Sequence, residues 1–143
     1  VWASPAVAPL GLTSATITLT SAQIKALHAT PITIIPAQGV GTMIITVGIT
    51  GQYTYGGSNV FVAAAGQFVS ASYNTLQGIG TMLPNSALIA AASQDGIVGM
   101  PNISTLSVRN QPIVAYNSNA TEISGNAAND NTLKITVLYY VVT

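Results

Sequence analysis

The stretch that most restricts the fold runs from Thr132 to Thr143 and reads Thr-Leu-Lys-Ile-Thr-Val-Leu-Tyr-Tyr-Val-Val-Thr. Side chains alternate across an extended chain, so Leu133, Ile135, Val137, Tyr139 and Val141 share one face. On the opposite face Lys134 and Thr136 give way to Leu138, Tyr140 and Val142. The first half is amphipathic and the second is apolar on both sides. That pattern predicts a central strand with a core on one face and a neighbouring subunit on the other. A central strand needs a partner on each edge, so earlier segments must supply both.

Those segments read as short strands punctuated by turn residues. Ala15 to Thr20 alternates Ile17 and Leu19 with threonines, which predicts a strand with one wet face. The period then changes: Thr20-Ser21-Ala22-Gln23 fits a capping box, and a short helix is expected from Ser21 to about His28, stopped by Pro31. Ile32 to Ile35 and Thr42 to Thr50 read as strands joined by the turn Gln38-Gly39-Val40-Gly41, and Tyr53 to Gly57 as a second turn. That Gly-x-Gly has no following helix and no nearby lysine, so it is not a phosphate loop. Asn59 to Ala64 is a further strand. Ser86 to Ala92 fits either a short helix capped by Asn85 or a small-residue strand, and the surrounding glycines mark loops or bulged strands. Asn102 to Asn110 and Ile113 to Tyr116 alternate again, and the polar loop Asn117 to Asn131 delivers the chain to its last strand.

About seven or eight antiparallel strands with one short helix predict an all-β protein: a jelly-roll-like β-sandwich or a partly closed barrel. Residues 13–143 form a single domain on this reading, preceded by an extended arm at 1–12 with Pro5, Pro9, Trp2 and Leu10. The alternatives for that arm are a frayed terminus or a segment lying on a partner, with Trp2 as anchor. A 143-residue chain can bury roughly 70% of its unfolded surface, and without cysteine it must do so unstapled.

Charge is where the composition constrains function. Only 4% of residues are Asp, Glu, Lys or Arg, against about 25% in an ordinary domain. Lys25, Asp95, Arg109, Glu122, Asp130 and Lys134 cancel to zero. Three scattered cations cannot neutralise a phosphate backbone, so nucleic acid is excluded as a partner. A surface this neutral is expected to associate, with copies of itself or with other subunits. Mean hydropathy is +0.53, yet no apolar run reaches the length of a membrane span, and no membrane partner is expected. The N-terminal residues lack the cationic and apolar regions of a secretory leader.

Catalytic chemistry is not expected. The single histidine, His28, has no acid near it in sequence, and a solvated or interface role suits it. Asp95, Glu122 and Asp130 are widely spaced in loop-like segments, so only the fold could assemble a carboxylate pair. Asn129-Asp130-Asn131 offers one carboxylate, without calcium-loop spacing, and reads as a turn. No cofactor or metal is expected.

Thr18-Leu19-Thr20-Ser21-Ala22-Gln23-Ile24-Lys25-Ala26-Leu27, continuing through Thr30-Pro31 to Ile35-Pro36-Ala37-Gln38-Gly39-Val40-Gly41, resembles the opening of small structural proteins of tailed bacteriophages. The ending Asn131 to Val142 resembles their close, and Tyr55-Gly56-Gly57 with Asn59 is similar to a turn between the two. Together these cover about a third of the chain. The resemblance implies a virion component, and within that group a capsid decoration or cement protein. Such a protein sits on the outer surface of the capsid, binds the major capsid protein lattice and contacts itself as a homodimer or homotrimer. Its interface would use Trp2, Pro5 and Leu10 of the arm and Leu138, Tyr140 and Val142 of the last strand. A rival expectation is a tail- or fibre-associated β-domain binding a host glycan or receptor, with Tyr53, Tyr55 and Tyr73 exposed together at one end.

Overall fold

The computed structural model describes residues 11–74, 77–98 and 109–143. Ten strands and two short helices lie among them. In chain order these are β1 (Thr13–Thr20), α1 (Ser21–Lys25), β2 (Ile32–Ile35), β3 (Met43–Thr54), β4 (Phe61–Val62) and β5 (Val69–Tyr73). There follow β6 (Gln77–Leu83), α2 (Asn85–Leu88), β7 (Gln94–Val98), β8 (Ile113–Tyr116), β9 (Ser124–Gly125) and β10 (Thr132–Val142). Two four-stranded sheets, ordered β1-β10-β3-β7 and β2-β8-β5-β6, hold eight of the strands, and β4 pairs with β9 alone. Every pairing is antiparallel. The chain passes repeatedly from one sheet to the other and interleaves distant strands, which is jelly-roll connectivity. The sheets stay open, so the partly closed barrel is corrected to a sandwich.

The terminal stretch is central, as its pattern requires. β10 pairs with β1 from Thr13↔Tyr139 to Thr20↔Thr132, and with β3 along its whole length. Leu133, Ile135 and Val137 are fully buried, facing Val69, Ala71, Ile113 and Ala115 of the second sheet in one core. Val141 departs from expectation: it shares their face but is 37% exposed. β1 ends opposite Tyr139, so Val141 has no described strand beside it on that edge, although its partner on β3, Ile44, is core.

Several local expectations shift for identifiable reasons. The capping box forms at Thr20 and Gln23, but α1 ends at Lys25 instead of His28. The carboxylate of Glu122 takes the amides of His28 and Ala29, which a longer helix would turn inward. β3 runs on through Tyr53 and Thr54, where a turn is expected. Gly51 within it serves close packing, since a Cβ there would lie 3.0 Å from the Met82 carbonyl of β6. The strand expected over Asn59–Ala64 contracts to Phe61–Val62. Ser86–Ala92 gives a helical turn at Asn85–Leu88 whose N-cap is Pro84, not Asn85. The strand expected at Asn102–Asn110 lies almost wholly outside the described residues.

Candidate functional site

The outward face of the β1-β10-β3-β7 sheet is divided into unlike halves. Thr132, Lys134 and Thr136 of β10 stand between Thr20, Thr18 and Thr16 of β1 and Thr54, Gln52 and Thr50 of β3. The Thr16 and Thr136 hydroxyls meet at 2.9 Å. This half is polar and wet.

Past Thr136 the same face turns apolar. Val142 lies opposite Met43, Tyr140 opposite Ile45, and Leu138 opposite Gly48. The register slips between Leu138 and Tyr139, leaving Val47 as the extra residue of β3. Val47 and Leu138 are 43% and 40% exposed; Met43, Ile45, Tyr140 and Val142 are half-buried. These six form a contiguous apolar patch without a charge. Its chemistry is to exclude water against a complementary surface.

Three of the six interface residues expected from sequence, Leu138, Tyr140 and Val142, are thus brought together, while Trp2, Pro5 and Leu10 lie outside the described residues. Met43, Ile45 and Val47 are missed by sequence reasoning. The signal was the run Met43-Ile44-Ile45, apolar on both strand faces just as β10 is, but only pairing places it beside Tyr140.

A second concentration of side chains lies at the start of β10. Asn126, 1% exposed, uses every hydrogen-bonding position of its amide. Its Oδ1 accepts from Ser21 Oγ and from the Asn131 amide, and its Nδ2 donates to the Asn59 carbonyl and to Asp130 Oδ1. Asp130 Oδ2 accepts from the Ser58 amide, and Asn131 Oδ1 from the Gly56 amide. Lys25 Nζ donates to Asn129 Oδ1 at 2.7 Å. The loop before β10 is thereby clamped to α1 and to the turn 55–59. Donation from the Asn126 side chain holds the Asp130 carboxyl below its ordinary range, outweighing the opposing effect of desolvation, and Ser58 adds a lesser contribution in the same direction. Asn126 and Asn129 sit at φ 41° and 54°, and Asn tolerates that left-handed region. The oxygens of Asn129, Asp130 and Asn131 are all engaged by protein donors, which makes this a structural turn. No cluster of three His, Asp or Glu side chains suited to a metal exists among the described residues.

His28 Nδ1 lies 3.0 Å from the Asn117 carbonyl, and its ring stacks on Tyr116. Glu122 meets the backbone amide of His28. The aromatic platform that glycan binding would need does not form from Tyr53, Tyr55 and Tyr73. Tyr53 is 1% exposed within the core, Tyr55 and Tyr73 pack against it, and the Tyr73 hydroxyl donates to the Ile44 carbonyl at the far end of β3.

Comparison with solved structures places this topology beside that of a viral shell protein. Over 97% of its length the chain is similar to a chain of the cyanophage Pam1 capsid asymmetric unit, of which 91% is covered, with a TM-score of 0.51 and 13% identity. At that identity the likeness is one of fold. No protein-family model matches the chain, and the comparison with curated proteins finds no match.

Proposed function

We propose that the protein is a non-enzymatic structural component of a phage virion, a decoration or cement protein on the outer surface of the head. The apolar half of the outward sheet face, Met43, Ile45 and Val47 beside Leu138, Tyr140 and Val142, seats on the major capsid protein lattice. Self-association as a homodimer or homotrimer completes the contact. The single observation that carries this reading is that uncharged patch, left half-covered on the central strand of a fold shared with a phage capsid chain. Covering the rest of six half-exposed side chains yields roughly 1 kcal/mol each before association costs. One copy alone would bind weakly, so useful affinity requires many copies on a repeating lattice. Binding the assembled lattice in preference to free subunits stabilises the shell by mass action.

The test is co-sedimentation with assembled shells of the major capsid protein from the same phage. Leu138→Asp and Tyr140→Asp should each reduce binding at least ~10-fold, the cost of desolvating a charge in an apolar contact. Raising the salt concentration should change wild-type binding little, because none of the six residues is charged. Undiminished binding by both variants would reject this face as the docking surface.

A further inference from the structure

β1 is the edge of its sheet, and its outer side is a row of backbone groups with no described partner. The geometry shows which ones. The Thr20 amide donates to Gln23 Oε1, so Thr20 faces away from β10. Strand alternation then turns Ser14, Thr16 and Thr18 outward as well, and leaves Thr13, Ala15, Ile17 and Leu19 to bond β10. Ser14, Thr16 and Thr18 are exposed, and among the described residues nothing accepts from their amides.

The other three edges of the two four-stranded sheets carry features that discourage strand addition. β2 has four residues, a register break, and Pro31 and Pro36 at its flanks. β6 has two irregularities in its pairing with β5, and β7 carries Asp95. β1 has eight residues, an unbroken register, no proline and no charge. Long, flat, neutral edges are templates for another strand.

We propose that the occupant is β1 of a second copy, paired antiparallel about a two-fold axis through Thr16. Both the free groups and the side chains are self-complementary in this register. Ser14 meets the partner's Thr18, Thr16 the partner's Thr16, and Thr18 the partner's Ser14. At two hydrogen bonds per facing pair this gives about six. On the inner face small Ala15 meets large Ile17 in both directions, extending the core across the seam, since both are half-buried side chains already packed on it. On the outer face the Thr136–Thr16 contact continues through the partner's Thr16. The axis is perpendicular to the sheet, so both apolar patches point to one side and engage one surface together. The pairing rests on the self-association in the functional reading and specifies its site. It is read on the free protein, so its failure would leave shell binding by the patch standing, and the reverse holds too.

The chain has no cysteine, which makes a single-site cross-link decisive. Hydrogen-bonded residues across antiparallel strands lie about 5.5 Å apart at Cα, within disulfide reach. Thr16→Cys should therefore convert to a covalent dimer under mild oxidation. Thr20→Cys, whose copies would lie about 27 Å apart in this register, should cross-link at least ~10-fold more slowly. Sedimentation should show a dimer that persists when residues 1–10 are deleted and is lost in Thr16→Pro, which removes an outward amide and spares the β10 ladder. Equal cross-linking at both positions, or a wild-type monomer at tens of micromolar, would overturn the proposal. So would a dimer abolished by the deletion, because the arm would then be the occupant.

Discussion

Replacing Asn126 with alanine should destabilise the fold more than any other single polar substitution in the loop before β10. The Asn131 amide, in a residue with no solvent exposure, loses its acceptor, and an orphaned buried amide costs about 1–3 kcal/mol. Alanine at φ 41° adds about 1 kcal/mol that asparagine largely avoids. Ser21 Oγ keeps the Asn131 carbonyl, and the Asn59 carbonyl keeps Asn131 Nδ2, so those partners are only partly deprived. The sum is about 3 kcal/mol. With a urea slope of about 2 kcal/mol/M for a domain of this size, the midpoint should fall by about 1.5 M in equilibrium unfolding followed by circular dichroism. Ser21→Ala should move it by about 0.5 M, and the double variant by less than the sum, because the two side chains share one contact. A shift below about 0.3 M for Asn126→Ala would show that water replaces the network, and the clamp reasoning would fail.

The Asp130 carboxyl is held below its ordinary range, so its contribution is present above about pH 4 and lost as pH falls through the lowered native value. Wild type should show a falling urea midpoint on that acid limb, and Asp130→Asn a flatter one. Gly56→Ala should cost about 2 kcal/mol by overpacking, since its Cβ would lie 2.5 Å from the Asp130 Cβ; thermal unfolding would detect this as a loss of several degrees. Ile135→Ala, in the fully buried middle of β10, should cost about 3 kcal/mol as a cavity. A urea midpoint unchanged in that variant would contradict the placement of the core.

What could be read from the sequence was whatever is written locally. The alternation of Ile17 and Leu19 with threonines, the capping pair Thr20 and Gln23, and the two-sided apolar run of β10 each depend on neighbours within a few residues, and each reappears in place. Failures came where a distant contact decides. Tyr53 looks like the start of a turn until β3 runs on through it into the core, beside a Gly51 whose missing Cβ admits the Met82 carbonyl of β6. The helix expected to reach His28 stops at Lys25 because Glu122, far along the chain, claims the amides of His28 and Ala29. Half of the candidate docking patch was visible in Leu138, Tyr140 and Val142. The other half depended on a register slip at Val47 that no local pattern announces.

The antiparallel match of Thr13 with Tyr139 puts the entry to β1 and the tail of β10 at one corner of the sandwich. Tension applied through Thr13 and the tail of β10 would peel this seam open pair by pair, the weak direction for a ladder, instead of shearing eight pairs at once. A domain of this build resists force poorly along its own backbone. Pressure reaching it from a strained support would have to enter through its broad faces, where the whole core shares the load.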